Sequence, residues 1–274
     1  MISELQNLVP LQKGGQKEVY TADHPSLGRV VYKRIFQKAD SLERTRREVR
    51  AVSLLNSPHV PRIFAHNCNE PSAPFLWIVE QYISGHTLRE TLNIGRRYNI
   101  SEVVNFINTM LDIAVGTEQK QLVHRDIKPE NIMVDSTVQF WLLDFGIARH
   151  LDLESITPTA APFGLFTLGY ASSEQFRNFK RDIDVRTDLF SIGVVAHEMV
   201  TGINPFRHGT NDPIMILRRM EQVNLPVTRI TGDTQFQLSA FINLIGDIRR
   251  TRRPRSAEEA KVIFNNVKTT LKLA

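Results

Sequence analysis

The chain predicts an α+β fold in two unequal parts, strand-rich first and helix-rich after. Two patterns carry this. Near the N-terminus, Glu18–Thr21 and Arg29–Ile35 are short runs rich in Val and Tyr, parted by the turn-forming stretch DHPSLG. Phe75–Tyr82 (FLWIVEQY) adds an apolar run of strand length. Further on, Ser101–Gln119, Asp188–Met199 and stretches near 212–222, 235–247 and 257–273 read as helices. Between the two patterns lies a polar loop, His124–Asn131 (HRDIKPEN), where Pro129 lacks a backbone donor and restrains its neighbour.

The strands are followed by one main helix. Asp40–Asn56 opens with a capping-box-like Asp40/Glu43 pair, sets Leu42, Val49, Val52 and Leu55 near one face, and is stopped by Pro58. Ser101 reads as the N-cap of the next helix, whose apolar stripe is Val103, Ile107, Met110, Leu111 and Ala114. Ile132–Val134 and Gln139–Leu143 read as a hairpin turning at 135–138. Asp188–Met199 is apolar nearly all round, as a helix in a domain centre must be.

Composition is that of an ordinary globular protein, with 42% hydrophobic and 23% charged residues over 274 positions. The start, MISELQNLVP, lacks the basic and apolar segments of a signal peptide. The longest uncharged stretch, Ser155–Ser173, is broken by prolines and glycines and makes a poor membrane span. Cys68 is the single cysteine, which excludes an intrachain disulfide and suits a reducing compartment. These features predict a cytoplasmic location. The net charge of +5 includes basic runs at Arg44/Arg46/Arg47/Arg50 and 249–255. Neither run is interleaved with aromatics or zinc ligands, so solvated faces and structural ion pairs account for them better than specific nucleic-acid binding.

The chemistry is concentrated in HRDIKPEN and the DFG that follows at Asp144. A carboxylate (Asp126), an ammonium (Lys128), a carboxamide (Asn131) and a second carboxylate delivered by the apolar run Phe140–Leu143 suit a hydroxyl acceptor, a polyphosphate and a divalent metal. The two motifs, in this order, resemble the catalytic centre of the eukaryotic-type Ser/Thr protein kinases. The resemblance covers about residues 10–268, and the wording FGIAR is similar to bacterial members. It implies a two-lobed kinase-like fold: a small lobe with an antiparallel sheet and one main helix, and a larger, mostly helical lobe. It implies one catalytic domain over 1–274, with the small lobe at 1–80, the hinge at 81–84 and the large lobe at 85–274.

On that resemblance Asp126 orients the acceptor hydroxyl and Lys128 neutralises charge on the moving phosphoryl group, a lysine typical of Ser/Thr rather than Tyr kinases. Asn131 and Asp144 become metal ligands. Val30–Lys33 (VVYK) takes the place of the kinase V-A-I-K, so Lys33 would hold the α- and β-phosphates and Val31 would roof the adenine. Glu48 is the expected partner of Lys33, with Glu43 earlier on the helix as the rival and an i,i+4 surface pair as the plainer role. The phosphate-covering loop is degenerate: aligned on Val19, only the central glycine, Gly14, survives, and Lys17 stands where a further glycine is usual. Lys17 could reach a phosphate instead. Gln81 to Ile83 would meet the adenine edge, with Met133 beneath it. Glu80 falls at the back of the adenine pocket, where a carboxylate requires a cationic partner or a register shifted by one.

Residues 146–173 would form the activation segment, with Arg125 docking a phosphate on Ser155, Thr157 or Thr159. Thr167 would hydrogen-bond to Asp126 and Lys128. Ser172-Ser173-Glu174 replaces the usual A-P-E, Glu174 would pair with Arg253, and Asp188 would brace the loop backbone. The implied activity is transfer of the γ-phosphate of ATP, with Mg²⁺ or Mn²⁺, to protein Ser/Thr hydroxyls by a monomer or transient homodimer, with activation-loop autophosphorylation. A pseudokinase scaffold and a small-molecule kinase are the alternatives.

Overall fold

The computed structural model describes residues 1–13, 17–36, 41–55, 57–70, 75–145, 149–150 and 166–273. Gly14, Asp40, Ser155, Thr157 and Thr159 lie outside these residues.

Five strands form one antiparallel sheet in the order β1-β2-β3-β5-β4. They are β1 (Gln6–Lys13), β2 (Lys17–His24), β3 (Gly28–Phe36), β4 (Ile63–His66) and β5 (Phe75–Gln81), with helix α1 (Ser41–Leu54) between β3 and β4. Two of these strands exceed the sequence pattern. β1 begins ahead of the expected strand region and contains Pro10, which cannot donate to a ladder; it is tolerated on this edge strand, where the register slips on both sides of the proline. β4 is too short for its alternation to stand out. The pairing that matters for the site is β3 with β5, which sets Lys33 opposite Ile78 and Val31 opposite Glu80.

The chain then passes through β6 (Gly85–Thr87) and α2 (Leu88–Asn93) into α3 (Ile100–Gln119). The cap of α3 is Asn99, not Ser101: its side chain accepts from Glu102 N–H while Glu102 accepts from Asn99 N–H. Ser101 lies inside the first turn, one residue past the helix start. Next come β7 (Leu122–Val123), β8 (Ile132–Asp135), β9 (Phe140–Leu142) and β10 (Arg149–His150). β6, β8 and β9 make a small sheet, and β10 pairs with β7. The remaining helices are α4 (Ser173–Phe176), α5 (Val185–Thr201), α6 (Pro213–Gln222), α7 (Gln237–Ile245) and α8 (Ala257–Lys268).

α5 is the axis of the large lobe, buried from Val185 through Met199 except at Arg186. It packs beside α3 and α7 in the main core with Phe106, Ile107, Met110, Leu189, Val194 and Phe241. Gly193 permits the α5–α7 approach, because a Cβ there would sit 2.8 Å from the backbone N of Gly246. This packing fixes the start of α5, and with it Asp188, under the loop that carries the chemistry.

Candidate active site

The HRDIKPEN loop is held from below by one carboxylate. Asp188 accepts from the backbone N–H of His124 and of Arg125, each at 2.8 Å. Asp188 is 1% exposed; burial pushes its carboxyl above the usual range, and His124 and the two N–H donors pull it back. The anchorage holds Arg125 at φ 71°, in the left-handed region that a non-glycine residue adopts only when its surroundings enforce it. Gln175 adds a bond from its side chain to Arg125 O at 2.6 Å.

His124 ties this loop to the DFG stretch. Its Nε2 lies 3.1 Å from Leu143 O, its Nδ1 is 3.2 Å from Asp126 N, and its ring meets Phe145 edge-on at 4.5 Å. Since Asp126 N–H must donate to Nδ1, the ring carries its proton on Nε2 and donates it to Leu143. Asp144 follows with φ 58°, turned away from the line of β9 towards the cleft, which it lines.

Four expected residues converge on one point. Thr167 Oγ1 donates to Asp126 Oδ1 at 2.7 Å and accepts from Lys128 Nζ at 3.0 Å. Lys128 Nζ is also 2.8 Å from Asp126 Oδ2. Asn131 Nδ2 donates to Asp126 Oδ2 and to Asp126 O, at 2.8 and 2.9 Å, which commits both its N–H donors and leaves its carbonyl oxygen as the group it can offer. Asn131 and Asp144 both line the cleft and offer it hard oxygen donors. Two such donors, with phosphate oxygens and water completing the shell, suit a small divalent ion.

Above this point lies a cleft of ≈ 350 Å³. Its apolar walls include Leu11, Val19, Val31, Ile83, Met133 and Leu143, and its polar lining includes Lys17, Lys33, Glu80, Asn131 and Asp144. Gln81 and Tyr82 border it too, though Gln81 is still part of β5 and its N–H bonds to Arg62 O at 2.8 Å. The Glu48/Glu43 alternative resolves: Lys33 Nζ lies 3.0 Å from Glu48 Oε1, whereas Glu43 pairs with Arg47 at 2.9 Å. Glu80 keeps the expected register and finds a cation, the same Lys33, at 3.0 Å. Burial lowers the Lys33 ammonium, but Glu48, Glu80 and Asp144 together outweigh it and hold it well above its ordinary range. Lys17 donates to Asp144 Oδ2 at 2.6 Å, so its partner here is a carboxylate rather than a phosphate.

The expected structural pair is also present. Arg253 Nη1 is 2.6 Å from Glu174 Oε1. The basic runs carry structural bonds: Arg46 donates to Cys68 O, Arg250 binds Asp182 and Asp184, and Arg249 and Arg252 reach Asp247.

Sequence reasoning missed Arg89. It binds Glu130 and Glu198, each at 2.8 Å, and donates to the Tyr170 hydroxyl, beside a second cavity of ≈ 420 Å³ that meets the cleft at Glu130. No sequence signal joined α2 to α5 across that distance.

Comparison with known proteins supplies the family. The model of the protein kinase domain family matches residues 6–263. The serine/threonine-protein kinase PknB of Mycobacterium leprae is 32% identical over 235 residues, covering 79% of this chain and 37% of that protein. The probable serine/threonine-protein kinase PknB of Bifidobacterium longum is 33% identical over 71% of this chain and 29% of its own length. A probable serine/threonine-protein kinase of Streptomyces coelicolor is 33% identical over 72% of this chain and 30% of its own. The chain thus spans about a third of the length of these relatives.

Proposed function

Since the chain belongs to the protein kinase domain family, we propose that it transfers the γ-phosphate of MgATP to Ser or Thr hydroxyls of proteins. The observation that carries this reading is the convergence of Asp126, Lys128, Thr167 and Asn131 beside a cleft that Asn131 lines together with Lys33 and Asp144. The family uses ATP with a divalent metal, here assigned as Mg²⁺ with Mn²⁺ able to replace it.

Phosphoryl transfer needs in-line positioning and charge neutralisation more than covalent help. Asp126 accepts the hydrogen bond of the substrate hydroxyl, as it already accepts one from Thr167, and aims that oxygen at the phosphorus. The new O–P bond forms as the bond to the ADP oxygen breaks, and the hydroxyl proton is drawn off towards Asp126. Lys128 neutralises charge on the transferred group, and Lys33 holds the α- and β-phosphates. When bound, the metal neutralises charge on the phosphate oxygens, and Asn131 and Asp144 are the residues that would hold it. Val31, Ile83 and Met133 enclose the adenine, with Gln81 and Val19 at its rim. Gly14 covers the phosphates. Arg125 receives a phosphate carried by Ser155, Thr157 or Thr159.

Residues 1–274 act as one catalytic domain in the cytoplasm, as a monomer or transient homodimer. No helix among the described residues is long and apolar enough to cross a membrane. The pairing of Lys33 with Glu80 and of Lys17 with Asp144 is what favours a scaffold reading, and the test decides it. Labelled ATP and Mg²⁺ are incubated with the chain and a generic protein substrate, beside Asp126→Asn. Phosphoserine or phosphothreonine is expected from the wild type, with a loss of about 10²–10⁴-fold in the variant. No labelled product, together with no thermal shift on adding ATP, refutes the enzyme reading.

A further inference from the structure

Among the described residues, Lys33 and Lys17 are the lysines and arginines that line the cleft, and Lys33 is claimed by two carboxylates at once. Glu48 Oε1 and Glu80 Oε2 each stand 3.0 Å from its Nζ. The three side chains are 8%, 10% and 14% exposed, so water screens them little. The two carboxylates come from different directions, Glu48 from α1 and Glu80 from β5, while Lys33 projects from β3. Only Glu80, with Lys33, also lines the cleft. Glu48 can therefore keep Lys33 aimed while nucleotide phosphates bind it. Glu80 holds the ammonium from within the cleft that the nucleotide must fill.

We propose that Glu80 is a positioning residue that competes with nucleotide phosphates for Lys33, so that ATP binds only as Glu80 gives the ammonium up. This rests on the reading of the cleft as an ATP site. The consequence is electrostatic. The groups that face Glu80 are Lys33 on β3, Glu48 on α1 and Asp144 beyond β9, and Asp144 is itself held by Lys17 of β2. The Cys68 thiol, which burial and Glu48 push up to about 11, stays neutral. With all carboxylates ionised, Lys33, Glu48 and Glu80 sum to one negative charge before any phosphate arrives. Once Lys33 turns to the phosphates, Glu80 is a buried carboxylate without a cation beside two further anionic groups. That state is expensive, and taking up a proton relieves it. Burial already raises the Glu80 carboxyl, and Glu48 raises it further against the pull of Lys33. ATP binding is thereby coupled to proton uptake at Glu80, whereas adenosine, which has nothing to offer Lys33, leaves the pair in place.

Calorimetry of the wild-type chain tests this directly. MgATP and adenosine are titrated in two buffers of different ionisation enthalpy, above the pH range in which the nucleotide's own phosphates titrate. The expected result is a buffer-dependent enthalpy for MgATP, corresponding to uptake of up to one proton, and none for adenosine. Glu80→Gln keeps the shape and an accepting oxygen but removes the charge. It is expected to bind MgATP about fivefold more tightly, or about 1 kcal/mol, with adenosine unchanged and proton uptake abolished. A role confined to adenine contacts or to structure moves both ligands together, which overturns the proposal. So does an enthalpy for MgATP that does not depend on the buffer, a measurement that needs no variant to fold. A wild type that binds neither ligand overturns the ATP reading of the cleft and this inference with it.

Discussion

Arg253→Met isolates the buried ion pair that secures the start of α5. The Arg253 side chain is 0% exposed and that of Glu174 4%. The guanidinium donates to both Glu174 oxygens, at 2.6 and 3.4 Å, and to the carbonyls of Asp247, Arg186 and Ile248, at 2.7, 2.9 and 3.3 Å. It also lies 4.9 Å from the centre of the Phe190 ring. Methionine fills much of the same space against Phe190 but donates nothing. Among the described residues, Glu174 is then a buried carboxylate left with hydroxyl donors, from Thr187 at 3.2 Å and Ser173 at 3.4 Å. Removing one partner of a buried pair costs about 3–5 kcal/mol, most of it the uncompensated charge left behind. At about 2–4 °C per kcal/mol for a chain of roughly this size, melting should fall by about 10 °C. The assay is denaturant unfolding of wild type, Arg253→Met, Glu174→Gln and the double variant. Because the double variant leaves no stranded charge, it should be less destabilised than the sum of the single changes by at least about 1 kcal/mol. A single-variant loss under about 1 kcal/mol, or strict additivity, refutes the account. Arg186 O lies on the same turn as Asp188, so the weakened variant should also lose activity below its melting range.

Two further outcomes follow from charges elsewhere. Lys17→Ala frees Asp144 from a pair about one-third exposed on each side; such a pair is worth at most about 1 kcal/mol, so the Mg²⁺ concentration that half-saturates nucleotide binding should fall by about fivefold or less, and a rise would show that Lys17 supports the metal-nucleotide complex instead. His197 on α5 is 5% exposed, and burial lowers its imidazole from 6.5 to about 4; the unfolded chain therefore binds this proton first, and the stability that the neutral ring confers is fully present above pH 6.5 and lost as pH falls towards 4, reaching roughly 3 kcal/mol. Unfolding curves across that window should be steeper in pH for wild type than for His197→Gln, and parallel profiles would contradict the assignment.

The parts of the site legible in the sequence are those whose chemistry sits in one short segment. HRDIKPEN announces itself because four residue types of distinct chemistry fall in one proline-restrained loop, and DFG follows at the end of an apolar run. Partners far apart in sequence were harder to read. Glu48 and Glu43 share a helix, and only the rotation of α1 against β3 selects one. Glu80 could be recognised as a problem but its solution required the β3–β5 register, which places Lys33 and Glu80 within reach across two strands. The sequence does not decide the cap of α3, because Asn99 and Ser101 are both good capping residues and lie two positions apart; the reciprocal bonds with Glu102 decide for Asn99. Arg89 carried no signal at all, since its partners come from the catalytic loop, the segment after it and α5.

The distribution of paired charge across the site bears on how it binds. On the catalytic side, Asp126, Lys128 and Thr167 satisfy one another in an arrangement that a substrate hydroxyl can enter with little change. On the nucleotide side the pairs must be undone: Lys17 lies on Asp144, and Lys33 lies on Glu80 as well as Glu48. A ligand there exchanges one set of charged contacts for another, and an exchange returns far less free energy than a contact made to a waiting group. Net affinity should therefore come mainly from covering the apolar walls around Val31, Ile83 and Met133, which adenosine and ATP share. The phosphates then add less than their charge suggests. The two pairs are not equivalent, however. Lys17–Asp144 joins β2 to the segment after β9 and breaks when the sheet moves relative to that segment, whereas Lys33–Glu80 is internal to the sheet and breaks only by side-chain motion or protonation. Salt screens the first, being a third exposed, and barely touches the second. Raising ionic strength should consequently ease release of Asp144 and leave the hold of Glu80 on Lys33 intact, which makes Glu80 the more durable of the two barriers to the phosphates.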